Sequence, residues 1–129
     1  MPYVYKEAMR LERKDKVGDG ECVALVRMYA GAREARDWRA GKKVVGERTL
    51  PLGTAIATFD EDGRWPGKSK GNHAAFYLSQ TSEYIRVMDQ WNRNDKPFIS
   101  SRLIPRRGRN KDGSFVRPSD NADAFSVIE

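Results

Sequence analysis

The sequence lacks several features that would assign a protein to a common class. Its single cysteine cannot form an intrachain disulfide, so the fold must be stable without one. No run of about 20 apolar residues is present, so no membrane insertion is predicted. The N-terminus has no apolar segment of the secretory type, which predicts synthesis in the cytoplasm without a signal peptide. One histidine and one cysteine cannot form a zinc site, and no metal or cofactor is predicted.

The length and the charge narrow the possibilities further. A chain of 129 residues is expected to form a single domain over residues 1–129 with a substantial core. The formal net charge of +6 favours polyanionic partners such as nucleic acid, an anionic membrane or an acidic cell wall. The basic bias is strongest over residues 102–117, where no aromatic residue precedes Phe115. A base-stacking platform is therefore not indicated, and no specific nucleic-acid partner is predicted.

The order of the predicted elements indicates an α+β fold. Helical patterns come first, and alternating or β-branched patterns follow them. This order predicts helices packed on an antiparallel sheet. The predicted helices cover residues 4–14, 22–31 and 35–39, and the predicted strands cover residues 54–59, 73–78, 84–91, 103–104 and 124–128.

The only cysteine lies at the start of the strongest helical pattern. Cys22 and the apolar residues that follow it at i+3, i+4 and i+7 share one face, and Asp19 or Gly20 is expected to be the N-cap. A thiol in the first turn of a helix experiences the positive end of the helix dipole, which favours the nucleophilic thiolate. Ordinary core packing fits the same position, because unpaired cysteines are usually buried.

The only histidine has a candidate partner on the next strand. His73 begins a predicted strand, and Asp89 is the only charged residue on the apolar face of the strand over residues 84–91. A buried carboxylate needs a hydrogen-bonding or charged partner. If Ser79 pairs with Glu83 across a three-residue loop, the same register pairs His73 directly with Asp89. A four-residue loop would instead place Gln90 opposite His73. We therefore predict a triad in which Asp89 orients His73 and His73 takes the proton of Cys22.

These residues carry a resemblance to a known group of enzymes. The segment Gly-Glu-Cys-Val-Ala-Leu-Val at residues 20–26, then Gly-Asn-His-Ala-Ala at residues 71–75, then a carboxylate on the next strand resembles papain-like cell-wall hydrolases of the NlpC and CHAP kind. That group includes small amidase effectors that bacteria inject into rivals. The resemblance covers residues 18–91. It implies a papain-like core in which Cys22 is the nucleophile, His73 the base and Asp89 the third polar group.

The resemblance also implies a substrate, a place of action and a partner. It implies hydrolysis of an amide bond in the peptide stem of peptidoglycan, in the periplasm or cell wall of a target cell after specialised secretion. A cognate immunity protein is expected in the producing cell. Two departures weaken the match, because the chain offers no second histidine and no glutamine just before Cys22 as an oxyanion donor. The oxyanion is left to the Cys22 backbone N–H and a second donor that is not identified.

Three further residues are predicted to contact the substrate. Trp65 lies in a glycine-containing loop over residues 60–72, Asn72 directly precedes the histidine, and Trp91 ends the strand that carries Asp89. Loops often carry binding residues, although core packing is the default for any tryptophan. Two other functions remain open from the sequence. They are a non-catalytic binding module of the same fold and a small basic protein that binds nucleic acid through residues 102–117.

Overall fold

A computed structural model of the protein, describing residues 2–67 and 71–129, has the predicted α+β architecture. One α-helix and six strands are present in this part of the chain, together with four short 3-10 turns. None of the described helices is long and apolar enough to cross a membrane. Residues 68–70 of the predicted loop lie outside the described residues. The regular elements are α1 (Cys22–Ala30), β1 (Ala40–Lys43), β2 (Ala55–Thr58), β3 (Ala74–Gln80), β4 (Tyr84–Asp89), β5 (Ser100–Pro105) and β6 (Phe125–Ile128).

The six strands form one antiparallel sheet in the order β1-β6-β2-β3-β4-β5. The chain therefore brings its last strand into the middle of the sheet, between β1 and β2. Strands β2, β3 and β6 carry runs of buried residues on both faces, because α1 and the N-terminal segment cover one face and the C-terminal segment packs on the other.

The register predicted for the β3–β4 hairpin is wrong. Phe76 pairs with Met88, and a bulge between Tyr77 and Ser79 shifts the pairing by one further residue near the turn. Extending the Phe76 pairing places His73 opposite position 91, so Asp89 is its diagonal neighbour on the same face. Side chains two positions apart across a pair of strands are still within reach of each other.

Helix α1 has the predicted position and end. Its Cys22, Leu25 and Val26 side chains are buried against the sheet, and Gly31 ends the helix in the left-handed conformation with φ 70°. The N-cap is Glu21, and not Asp19 or Gly20 as predicted. Asp19 lies two residues before this N-cap, and its Oδ1 accepts the N–H of Glu21 at 2.9 Å.

The helix predicted over residues 4–14 is reduced to a 3-10 turn, Ala8–Leu11. Val4 instead forms a β-bridge with Thr54, and the Tyr5 N–H donates to the Gly53 carbonyl at 2.9 Å. The Tyr5 ring packs on Tyr29 of the helix at 5.0 Å between centroids. This segment has few apolar residues, so an isolated helix would be only marginally stable here. Pairing with the residues just before β2 and covering the core stabilises it more.

Candidate active site

The sole histidine and Asp89 are in direct contact in the interior. His73 directly precedes β3, where its backbone N–H donates to the Thr58 hydroxyl at 3.0 Å. Its Nε2 lies 2.8 Å from Oδ2 of Asp89, the last residue of β4. Asp89 is fully buried and His73 is 5% exposed. The predicted contact between these residues is therefore confirmed, although it is made diagonally across the hairpin.

Cys22 lies on the other side of the imidazole. After Asp89, Cys22 also raises the pKa of His73, which places its thiol near the imidazole. Because Nε2 is engaged by Asp89, the nitrogen left for the thiol is Nδ1. The cysteine is buried, with 9% of its surface exposed. The three predicted residues thus form a continuous series from thiol to imidazole to carboxylate.

Two cations that the sequence analysis did not single out also hold Asp89. Arg102 Nε donates to Oδ2 at 2.8 Å, and Lys96 Nζ forms an ion pair with Oδ1 at 2.8 Å. The Oδ1 atom receives no well-aligned hydrogen bond from any described residue, so the charge of Lys96 is its compensation. Burial raises the pKa of Asp89, but its hydrogen bond to His73 and the three neighbouring positive charges outweigh burial and hold the pKa well below its usual range.

Burial also opposes the charged form of His73 and by itself lowers its pKa. The hydrogen bonds and charges of Asp89 and Cys22 act in the opposite direction and raise the pKa of His73 to about 9. At neutral pH the ring is therefore a protonated imidazolium between two potential anions.

Trp91 is fixed at the same cluster by both cations. Lys96 Nζ lies 4.5 Å from the ring centroid of Trp91, and Arg102 Cζ lies 5.1 Å from it. The Trp91 Nε1 donates to Asp95 at 2.7 Å, and its ring meets the His73 ring edge-on at 6.0 Å. The tryptophan is thus held beside the imidazole by contacts that fix its orientation.

Gln90 connects the end of β4 to the segment that leads into α1. Its Nε2 donates to the carbonyls of Val17 and Glu21, and its Oε1 accepts the Val17 N–H, at distances of 2.8 to 3.0 Å. Gln90 is fully buried. Two consecutive residues therefore hold His73 and the segment that leads into Cys22.

A cleft of about 550 Å³ opens at this cluster. Glu21, Asn72, His73, Trp91 and Arg102 are among the residues that line it. Asn72 also accepts the Gly67 N–H through Oδ1 at 2.9 Å, so part of its role is to shape the loop before β3.

The third residue predicted to bind substrate, Trp65, lies elsewhere. Its ring is 5.2 Å from the ring of buried Trp38, and it is not among the residues lining this cleft. Contact of Trp65 with a substrate stays a prediction. No group of three or more metal-ligating side chains converges anywhere in residues 2–67 and 71–129.

Lys96, Arg102 and Gln90 are the site residues that sequence reasoning missed. Lys96 comes from the polar loop after β4, and Arg102 opens the basic run over residues 102–117. The position of Asp89 on an apolar strand face could have indicated them, because a fully buried carboxylate requires more positive charge or hydrogen bonding than one histidine supplies. Nothing in the sequence pattern says which of the many cations supplies it.

Comparison with known proteins defines the class first. A solved structure of type 6 secretion amidase effector 2 superimposes with a TM-score of 0.91 at 40% identity, covering 98% of this chain and 94% of that one. The type VI secretion amidase effector 2 protein of Salmonella typhi is 42% identical over 135 aligned residues, which cover 100% of both chains. Domesticated amidase effector 2 of Ixodes scapularis is 37% identical over 115 residues, covering 84% of this chain and 70% of that protein. The class is that of the small amidase effectors.

A family model described as Domesticated amidase effector 2 matches residues 8–128. The chain belongs to this family. The prediction of an amidase effector is thereby confirmed, whereas the assignment to papain-like enzymes of the NlpC and CHAP kind stays a prediction.

Proposed function

We propose that this protein is a cysteine amidase that cleaves an amide bond in the peptide stem of peptidoglycan. Membership in an amidase effector family supports hydrolysis of an amide. The observation that carries the assignment of residues is the series from Cys22 to His73 to Asp89, in which His73 also lines a cleft. A nucleophile, a base and an orienting group in hydrogen-bond contact are the arrangement that covalent hydrolases require.

The first half of the reaction uses the thiolate of Cys22. Its sulfur attacks the amide carbon, and the carbonyl oxygen becomes an oxyanion that the Cys22 backbone N–H stabilises at the start of α1. The imidazolium of His73 then gives its proton to the leaving amine nitrogen, the carbon–nitrogen bond breaks, and an acyl-enzyme thioester remains. The elevated pKa of His73 means that this proton is present at neutral pH.

Water completes the reaction. His73, now neutral, takes a proton from a water molecule while the water oxygen attacks the thioester carbon. The carbon–sulfur bond breaks, a carboxylic acid product leaves, and the proton on His73 restores the imidazolium beside the thiolate. Asp89 keeps the ring in one orientation throughout, because Lys96 and Arg102 fix the carboxylate in turn.

The cleft supports the remaining assignments. Trp91 and Asn72 line it beside His73 and are proposed to contact the peptide. A helix that carries the nucleophile and packs on an antiparallel sheet, with the base at a strand start, supports a papain-like core. The single domain over residues 1–129 is part of the same proposal.

The place of action follows from the type of protein. An amidase of this family is proposed to reach the periplasm of a target cell by specialised secretion and to be neutralised in the producing cell by an immunity protein. The relatives named for type VI secretion support this route.

Digestion of purified sacculi tests the proposal. The wild-type protein should release fragments with new amine and carboxyl termini, identified by mass spectrometry, and Cys22→Ala should release none above the buffer control. Asp89→Glu keeps the charge and should retain part of the activity. Release of the same fragments by wild type and Cys22→Ala would end the proposal. Release of no fragments by wild type would end it too and would favour a binding module that has kept the fold.

A further inference from the structure

A second cavity adjoins the cleft and takes no part in the proposed hydrolysis. It has a volume of about 390 Å³ and shares Gly71 and Asn72 with the cleft that contains His73. A peptide lying across Asn72 therefore passes directly from one cavity to the other. The wall of the second cavity includes the end of β1 and the segment around Phe115.

Two cations converge on one aromatic ring in this cavity. Arg109 Cζ lies 4.0 Å from the Phe115 centroid, and Lys43 Nζ lies 4.7 Å from the same centroid. Neither cation forms an ion pair with any residue in the described part of the chain. Arg109 is placed by a hydrogen bond from Nη1 to the Gly113 carbonyl at 2.6 Å, which leaves the rest of its guanidinium to face a ligand.

The positive charges of Lys43 and Arg109 are only partly compensated by the nearby acidic residue. Partial desolvation of the ammonium, followed by the charge of Arg109, lowers the pKa of Lys43, and Asp123 only partly opposes them. Asp123 is already occupied by Arg106 at 2.8 Å and by the Gly108 N–H at 2.9 Å. Two like charges thus contact one ring without a dedicated anion among the described residues, and a carboxylate placed near them relieves their repulsion.

Acidic residues stand at another part of the wall and restrict where an anion can lie. Asp60 and Glu61 line the cavity, and Asp60 Oδ1 accepts the N–H groups of Asp62 and Arg64 in a turn. Like-charge repulsion keeps an incoming carboxylate away from this part. The favourable position is therefore beside Phe115, the ring that both cations contact.

We propose that this cavity is a carboxylate-binding subsite for the peptide substrate, with Arg109 and Lys43 as the groups that bind a free carboxylate of the peptide. The inference rests on the proposed function, because the ligand is taken to be the peptide whose amide lies at Cys22. Arg109 offers a planar fork that matches a carboxylate, and Lys43 supplies a second charge. The subsite selects peptides by charge beyond the bond that is cut.

Binding of two matched stem peptides to Cys22→Ala tests the subsite without turnover. One peptide keeps its free carboxylates, and in the other they are converted to primary carboxamides. Calorimetry should show at least about tenfold weaker binding of the carboxamide peptide, since charge-assisted hydrogen bonds to a carboxylate are lost. Adding Arg109→Gln or Lys43→Gln should weaken binding of the carboxylate peptide by a similar factor and leave the carboxamide peptide nearly unaffected.

Two control variants remove the same charge outside the cavity. Lys42→Gln changes the neighbour of Lys43 on β1, whose side chain pairs with Glu47 at 3.5 Å, and Lys111→Gln changes an exposed residue in the segment that carries Arg109. Both controls should keep the full preference for the carboxylate peptide. Loss of the preference in these controls would show that only net charge matters and would overturn the subsite.

The two proposals fail in different ways. Equal binding of both peptides overturns the subsite, whatever the activity of the wild type. Cleavage of both peptides at equal rates by wild type, with none by Cys22→Ala, overturns the subsite and leaves the amidase intact. Absence of cleavage by wild type overturns the proposed function, while a tenfold binding preference would still support the subsite.

Discussion

At the scale of single residues, the candidate site is a buried cluster in which each ionisable side chain lies beside one that can carry the opposite charge. Cys22 and Asp89 flank His73, and Lys96 and Arg102 flank Asp89. Each group compensates the next, so removal of one member leaves its neighbour uncompensated in the interior. The chemistry and the stability of the protein are therefore coupled at this point.

The elevated pKa of His73 predicts a pH-dependent stability. A pKa that is about 9 in the folded protein and 6.5 as a free residue means that the protonated ring stabilises the fold. This contribution is fully present below pH 6.5 and is lost as the pH rises through about 9. We expect the free energy of unfolding to fall by about 3 kcal/mol over this range in urea titrations. His73→Gln should show a much flatter profile, and an equal decline in both proteins would contradict the assignment.

Removal of the buried carboxylate should be costly. Asp89→Asn leaves Lys96 and Arg102 without their shared anion, and we expect a loss of about 3–5 kcal/mol in urea denaturation. Asp95→Asn is the matched control, because it removes an exposed carboxylate that also pairs with an arginine and accepts from Trp91. The control should lose no more than about 1 kcal/mol. Similar losses in the two variants would show that the buried charges are not balanced as described.

At the scale of elements, the site depends on the connection between β4 and the segment before α1. Gln90→Leu removes three hydrogen bonds and should destabilise the protein on the order of 3 kcal/mol. It should also slow iodoacetamide labelling of Cys22, because the sulfur is no longer held at the imidazole.

Gln80 provides the comparison for this variant. Its side chain also makes several hydrogen bonds, to Val44, Glu47 and Tyr77, but on the part of β3 far from the cysteine. Gln80→Leu should destabilise the fold without changing the labelling rate. Equal labelling rates in the Gln90 and Gln80 variants would mean that Gln90 contributes only to stability.

The N-terminal segment depends on a close approach at Gly53. A Cβ at this position, where φ is +92°, would overlap the carbonyl oxygen of Tyr5. At Gly46 φ is +89° and nothing lies within 4 Å of the added Cβ. Gly46→Ala should cost about 1–2 kcal/mol from backbone strain alone, and Gly53→Ala should cost clearly more. Thermal unfolding of the two variants measures the difference, and equal melting temperatures would argue against the close contact.

The sequence predicts most of the helix and strands and the contact between His73 and Asp89, but not the cations that surround Asp89. Helix α1 and strands β2, β3, β4 and β6 follow from their apolar patterns. The His73–Asp89 contact was found with an incorrect register, because a shift of an even number of residues in the pairing leaves Asp89 on the same face. The compensation by Lys96 and Arg102 was not predictable, since it joins a loop and β5 to β4 through tertiary structure alone.

The ion pairs of the basic segment over residues 102–117 were not predicted, for a similar reason. In the sequence its cations have few acidic neighbours, but in the fold Arg102 and Arg107 pair with Asp120, and Arg106 pairs with Asp123. Acidic residues slightly further along the chain thus neutralise much of the run. This pairing reduces the charge that a nucleic acid could contact at this segment.

At the scale of the whole molecule, the net charge of +6 remains. Because long-range attraction between exposed charges is screened by salt, binding to an anionic wall should weaken as the ionic strength rises. Co-sedimentation of Cys22→Ala with sacculi should fall several-fold between about 0.05 M and about 0.5 M sodium chloride. Sedimentation that does not depend on salt would assign wall binding to the cleft alone.

Because Asp89 and Gln90 are adjacent, insertions and deletions in β4 should be tolerated poorly. A deletion of one residue within β4 would turn both side chains to the opposite face, so the orienting carboxylate and the glutamine clamp would be lost in a single event. The hairpin loop before Tyr84 carries no such constraint and can vary in length at little cost. Tolerance to insertion and deletion is therefore expected to differ sharply between two positions only a few residues apart.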